Sequence, residues 1–455
     1  MIETPRSPIV AVLGASGLIG EAICVYLLSH GHTVIPVARG FTPVQNAAWE
    51  GRAVRFPLVD AETPALQTAI SALQADVVVN CIGALQDAPG SPAARANRAF
   101  VANLVEVLQR QAGDGAEPGQ EGRASPILIH VSIPGEGQDD LTDFSREKRA
   151  AETTIARSGL PFIILRPGFV LAQAAFGGSA LMRALAVLPF DLPEALASRP
   201  FAVTDVRDIG RTVDMVLAEW TTGRREWQAR WDVMEPEAST VGYVLAGLAH
   251  RLAGPKRRAR VPGWMLMTAS WAGDLVSKLG WRPPVRSTAL VEMKRGVNGD
   301  PAIWQRETGL DPLSGPNTLA MTAATVQERW FARLYMLKAL IFGILVLFWV
   351  VSGSISLTVA FDAATRILTD HGFAEPLAKA ITIVTSLMDI SVGLAILHRR
   401  TVRMSLLAGI GLSFFYMISA AFITPDMWIE PLGALVKTGP SIILMMVGLA
   451  VLEER

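Results

Sequence analysis

The feature that most constrains this chain is a change of solvent partway along it. Of its 455 residues, roughly the first three quarters read as water-soluble, and from Leu334 onward four long apolar stretches follow one another. They cover about Leu334–Val359, Ala378–Leu397, Met404–Ile423 and Leu432–Leu452. A helix needs roughly 20 mostly apolar residues to cross the hydrocarbon core of a bilayer. Helices of soluble cores rarely stay apolar on every face for that length. The sequence therefore predicts a soluble region tethered to an all-α four-helix transmembrane bundle.

The flanks of these stretches predict their orientation. Arg329 and Arg333 precede the first, and His398, Arg399, Arg400 and Arg403 fill the link between the second and third. The link from Thr424 to Pro431 carries no Lys or Arg. Positive charge stays on the cytoplasmic side. An even number of spans then places both the large N-terminal region and the C-terminal Glu453–Arg455 in the cytoplasm. The remaining link mixes Arg366 and Lys379 with Asp362, Asp370 and Glu375 and does not discriminate. No leader peptide is expected, since a strand begins within the first ten residues.

One carboxylate falls near the middle of a span. Asp389 shares a helical face with Thr382, Ser386 and Gly393. A carboxylate at that depth is costly and faces a bundle interior or a wet cavity. Two readings stand: a proton or quinone-headgroup site, and an internal polar contact that fixes helix packing. Lys437 and Lys338 are the basic residues available to pair with it, unless both snorkel to an interface.

Composition excludes more than it suggests. Lys and Arg number 41 and Asp and Glu 41, so the formal charge is zero and no nucleic-acid partner is expected. Cys24 and Cys81 offer no metal-ligand spacing, so no metal site is expected either.

The N-terminal region carries the chemistry. Ser7–Leu13 is a short apolar, β-branched run that leads into Gly14-Ala15-Ser16-Gly17-Leu18-Ile19-Gly20, a helical segment, and a second strand at Thr33–Ala38. Strand, glycine turn, helix and strand within about 30 residues is the context in which a glycine triplet binds a dinucleotide. Gly14 permits the tight turn, Gly17 lets the backbone approach a pyrophosphate, and Gly20 lets helix pack on strand. Ser16, Leu18 and Ile19 complete the cradle at the helix N-terminus, where free N–H groups favour an anion. At the end of the second strand stands Arg39, with no acid nearby. An acid there would hold a ribose 2′-hydroxyl, whereas a basic group suits a 2′-phosphate, so NADP is favoured over NAD. Further strands are predicted at Ala53–Leu58, Asp76–Cys81, Ile127–Val131 and Phe162–Leu165, alternating with helices at about Ala93–Gln111 and Phe144–Ser158. A polar insertion precedes the strand at Ile127. This alternation predicts an α/β Rossmann-like, doubly wound parallel sheet.

These residues resemble the short-chain dehydrogenase/reductase superfamily in its extended, atypical branch, over about Ile9–Thr240. The resemblance implies roles for further positions. Asp60 would contact adenine, and Asn80 and Gly83 would line the cofactor. Ser132 would stand in the place of the catalytic Ser or Thr, and Arg166-Pro167 would border the nicotinamide. The family's Tyr-x-x-x-Lys pair is Phe144-Ser145-Arg146-Glu147-Lys148 here. Lys148 can hold the nicotinamide ribose and serve catalysis, but a phenyl ring can neither give nor take a proton. The same loss is found in a subgroup similar to the NADPH-binding accessory subunit of respiratory complex I. The segment Thr322–Tyr335 and the apolar stretches behind it resemble bacterial proteins with a DoxX-like membrane domain, which implies a bacterial-type inner membrane and quinone- or thiol-linked redox chemistry.

The domain boundaries implied are 1–240 for the nucleotide-binding domain, 241–333 for a substrate lobe or membrane-proximal linker, and 334–455 for the membrane domain. Within the middle, the basic cluster Lys256–Arg260 and the tryptophan-bearing Val261–Leu279 suit a bilayer surface or a lid helix on the nucleotide domain. Expected partners are bilayer lipid, a quinone or other lipophilic small molecule, and a membrane protein or second copy of the chain. Two functions follow: an oxidoreductase acting on a lipophilic or quinone-like substrate, and a non-catalytic NADPH-binding scaffold or sensor of a membrane complex.

Overall fold

The computed structural model describes residues 6–86, 93–114, 125–429, 433 and 435–452. Most of the polar insertion and the C-terminal Glu453–Arg455 lie outside these residues. The chain divides into two compact units, residues 1–274 with 284–332 and residues 275–283 with 333–455.

The first unit is built on seven parallel strands: β1 (Ile9–Leu13), β2 (Thr33–Ala38), β3 (Val54–Arg55), β4 (Val77–Asn80), β5 (Ile127–Val131), β6 (Phe162–Pro167) and β7 (Gln228–Val233). Their spatial order is β7-β6-β5-β4-β1-β2-β3. The central strands are buried on both faces, which is why they read as unbroken apolar runs rather than alternating ones. Helices α1 (Leu18–Ser29) and α4 (Val206–Thr221) bring Ile23, Leu27, Ile209 and Val213 to one face. On the other face, α2 (Phe100–Asp114) and α3 (Asp143–Ala156) bring Phe100, Leu104, Ala151 and Ile155. The strand order reverses between β1 and β4, and ligands of such sheets bind at the carboxyl ends of the strands beside that reversal.

Two strands differ from expectation. β3 is two residues long rather than running from Ala53 to Leu58. Phe56 still donates to the Ala38 carbonyl at 2.9 Å, but Pro57 has no N–H and the ladder stops there. β7 was not anticipated. It buries Ala229, Trp231 and Val233 and exposes Gln228 and Arg230, the half-buried alternation of an edge strand.

The second unit is helical. It contains α5 (Val326–Leu357) from Arg333 onward, α6 (Phe361–Asp370), α7 (Glu375–Leu397), α8 (Val402–Ile423) and α9 (Thr438–Ala450). Among the described residues, three helices are long and apolar enough to cross a membrane: α5, α7 and α8. Within the expected fourth span, Leu432–Leu452, Leu432 and Ala434 lie outside the described residues, and the helix seen there is α9. α9 has 13 residues, a rise of about 20 Å, short of the roughly 30 Å hydrocarbon core. Pro440 sits in its first turn, where a fixed φ and a missing N–H start a helix but do not continue one. The link after the first span also folds, as α6. Small residues set the helix spacing: a Cβ on Gly353 would lie 2.6 Å from the Ser386 carbonyl, and one on Gly393 2.9 Å from the Val350 nitrogen. Asp389 finds neither expected lysine. Its partner is Tyr416 of α8, whose hydroxyl donates at 2.8 Å.

Candidate functional site

The glycine turn at the reversal point uses each glycine differently. Gly14 sits at φ +81, and its N–H donates to the Val37 carbonyl of β2 at 2.9 Å. A Cβ there would lie 3.3 Å from the Cys81 backbone, on the turn leaving β4. Gly17 precedes α1 without any side-chain cap. The first N–H groups of the helix are thus left to a ligand, as an anion site requires. A Cβ on Gly20 would lie 2.4 Å from the Gly14 carbonyl oxygen, so the helix can approach the strand only with glycine here. Ser16, Leu18 and Ile19 are half-buried around this turn. Arg39 is exposed at the end of β2. Asp60, beyond β3, is partly exposed and pairs with Arg95 at 3.4 Å. The uncapped cradle and an Arg39 guanidinium that pairs with nothing among the described residues fit a dinucleotide.

The floor of the site is made by β4, β5 and α3. Asn80 accepts from the Ile82 N–H at 3.0 Å and lies 3.1 Å from the buried His130 ring, which shapes the turn toward Gly83. Lys148 is 4% exposed and donates to the Val131 carbonyl at 2.9 Å. A Cβ on Gly83 would lie 2.9 Å from its ammonium nitrogen. Burial pushes Lys148 down from 10.5 to about 8. The same burial pushes the neighbouring Cys81 thiol up to about 12. Phe144 lies one helical turn before Lys148, half-buried. Ser132 is buried at the end of β5, its N–H donating to the Leu165 carbonyl at 2.7 Å. The structure thus brings Asn80, Gly83, Ser132 and Lys148 to one place beside the glycine turn, on the carboxyl ends of adjacent strands.

An ionic network that sequence reasoning missed supports this floor. Arg166, at the end of β6, grips Glu152 with two nitrogens, one at 3.0 Å. Arg149 donates to the same carboxylate at 3.1 Å and to Asp140 at 3.0 Å. It also bonds the carbonyls of Ile133, Pro134 and Gly135 at 3.0, 2.7 and 2.6 Å. Arg295 reaches Asp140 and the Pro134 carbonyl, both at 2.8 Å. The loop carrying Ser132 is therefore clamped by two arginines. Burial works against the Glu152 carboxylate, but Arg166 and Arg149 outweigh it and hold its pKa below the ordinary value. Arg166, expected to border the nicotinamide, pairs its guanidinium with Glu152. A trace of this was visible in the chain: Glu152 follows Lys148 by one turn and Arg149 by three residues, so all belong to the inner side of α3.

Parts of the chain are similar to known proteins. Residues 10–120 match the NAD dependent epimerase/dehydratase family, and residues 346–446 match the DoxX-like family. The dTDP-6-deoxy-L-talose 4-dehydrogenase (NAD(P)(+)) of Kitasatospora kifunensis is 25% identical over 301 residues, covering 60% of this chain and 90% of that enzyme. The dTDP-glucose 4,6-dehydratase of Bacillus anthracis str. Ames, solved with NAD, superposes with a TM-score of 0.50 at 13% identity, over 72% of this chain and 97% of that one. The Bordetella bronchiseptica enzyme WbmG, also solved with NAD, gives 0.49 at 16% identity, over 70% and 94%. The likeness to the solved structures is one of fold. The Kitasatospora kifunensis relative is named for a dTDP-linked sugar, which corrects the expected resemblance to the accessory subunit of complex I. The chain carries an NAD-binding domain like those of the epimerase/dehydratase and short-chain dehydrogenase/reductase enzymes, followed by a DoxX-like domain.

Proposed function

We propose that this protein is a membrane-tethered NAD(P)(H)-dependent oxidoreductase acting between a carbonyl and the corresponding hydroxyl. The observation that carries this reading is the buried Lys148 beside an intact phosphate turn. When bound, the dinucleotide supplies or accepts a hydride. The chain's own residues do the rest. Gly14, Gly17 and Gly20 shape the cradle, Arg39 meets a 2′-phosphate, and Asn80 and Gly83 line the wall. With no tyrosine at position 144, the proton comes from Lys148 or Ser132. An ammonium with a pKa near 8 is close enough to neutral pH to act as an acid. The relative from Kitasatospora kifunensis is named for a nucleotide-linked sugar. The tether to apolar helices favours instead a carbonyl carried on a lipophile, such as a quinone-like ring. Phe144 favours a second reading, a protein that holds NADPH as a scaffold or sensor without turning it over.

The full chain in detergent should oxidise NADPH stoichiometrically with either a quinone or a nucleotide-linked keto sugar. Tight binding with no turnover on either substrate would hand the function to the scaffold reading. NADPH should bind about tenfold tighter than NADH, the worth of one charge-assisted hydrogen bond. Arg39→Ala should erase that difference, and equal affinities in the unmutated protein would refute the role given to Arg39.

The basic flanks support a cytoplasmic placement of the nucleotide-binding unit. A reporter inserted at Arg400 should be cytoplasmic and one at Asp426 external. The reverse result would invert the proposed sidedness.

A further inference from the structure

A second cleft lies wholly within the helical unit, formed by α6, α7 and α8, with Ser356 and Leu435 at its margins. Its volume is about 990 Å³, the upper end of what small-molecule sites offer. The walls are mostly apolar and include Met388, Leu412 and Phe415. Polar side chains interrupt them, among them the neighbouring Ser386, Asp389 and Tyr416; the hydroxyls of Thr382 and Thr385 are already bonded to backbone carbonyls of α7. The geometry points to a binding site for a lipophile that ends in a hydroxyl group.

The donor and acceptor inventory selects that head. Tyr416 donates to one oxygen of Asp389 at 2.8 Å, while the second oxygen accepts nothing among the described residues. Ser386, one turn earlier on the same face of α7, is 1% exposed, and its hydroxyl has no hydrogen-bond partner among the described residues. A buried polar group without a partner is costly, the more so where hydrocarbon replaces water. One ligand group that both donates and accepts satisfies both residues. Its hydrogen goes to the free oxygen of Asp389, and its lone pair takes the Ser386 hydroxyl. A hydroxyl does this. An ammonium has no lone pair, and an ether or a quinone carbonyl has no hydrogen to give. The apolar walls then take the rest of the molecule. This site is separate from the nucleotide site and does not depend on its chemistry.

Two sources share this chemistry, the ring hydroxyl of a quinol and the chain-end hydroxyl of a prenol. The full chain in detergent should be irradiated with a long-chain alcohol carrying a diazirine, and with its methyl ether, and the labelled peptides mapped. The alcohol should label α7 and α8 about tenfold more than the ether, the worth of one hydrogen bond to a charged group. Asp389→Asn and Tyr416→Phe should each remove most of that excess. Ser386→Ala, which deletes only a hydroxyl, serves where the larger changes prevent folding. Competition by decylubiquinol assigns the quinol source, and competition by farnesol the prenol source. Equal labelling by alcohol and ether, or labelling untouched by all three substitutions, would show a cleft filled by ordinary bilayer lipid and overturn the proposal.

Discussion

Phe144→Tyr should raise carbonyl reduction by roughly 10²–10⁴-fold, the usual contribution of a positioned general acid. The new phenol would stand one helical turn before Lys148, on the side chain's own face of α3. Lys148 is a buried cation that cannot move far, since it is bonded to the Val131 carbonyl and packed under Gly83. Its charge would lower the pKa of an adjacent phenol. NADPH affinity should change little, because Phe144 takes no part in the phosphate turn. The natural protein should show a different pH profile. Its reductase activity should hold below about pH 8 and fall above it as Lys148 gives up its proton. Stability carries the same mark. A lysine whose folded pKa is lowered from 10.5 to about 8 costs stability below pH 8, and that cost fades as pH rises toward 10.5. Lys148→Met should therefore be the more stable protein at neutral pH, with the difference shrinking through that window. Rates are read from NADPH absorbance and stability from thermal melts. A Phe144→Tyr protein no faster than its parent would mean that position 144 does not face the reacting atoms, and a parent that already turns over quickly would mean that the lost tyrosine is fully replaced.

Much of this site was legible because its parts are local. Gly14 to Gly20, Arg39, and Phe144 to Lys148 are short strings whose spacing within one turn or one helix fixes what they can reach. The parallel order of the sheet was legible for the same reason, since each crossover announces itself by a helix between two apolar runs. What sequence reasoning missed is non-local. Asp140, the Arg149 and Glu152 of α3, Arg166 and Arg295 come from four separate segments, and only the closed fold shows that these segments pair. β7 escaped because an edge strand alternates, so Gln228 and Arg230 disguise Ala229 and Trp231. In the membrane domain, apolar length alone could not foresee that Pro440 begins α9 late, nor that a tyrosine one helix away, rather than a lysine, would hold Asp389.

The network also makes the sharpest prediction for stability. Glu152 is 4% exposed and receives two nitrogens of Arg166 and one of Arg149. Glu152→Leu removes the anion and leaves two largely buried guanidiniums facing an apolar side chain. Breaking a buried ion pair in this way costs about 3–5 kcal/mol, because the stranded charge keeps its desolvation penalty. Glu152→Gln keeps the shape and one acceptor and should cost less. Replacing Glu152 and Arg166 together by Leu and Met should recover part of the loss, since the stranded charge is then gone. Acid should narrow the gap between parent and Glu152→Leu. The carboxyl's folded pKa lies below its ordinary 4.5, so its contribution is complete above that value and is lost as pH falls through the folded one. The loss should reach the function as well: Arg149 holds the loop that carries Ser132, and α3 carries Lys148, so nucleotide affinity should fall with stability. Denaturant titration of the full chain, followed through the tryptophans of the first unit, reads these differences. A Glu152→Leu protein as stable as its parent would show that the arginines find water or other partners, and that the clamp on the Ser132 loop does not depend on this carboxylate.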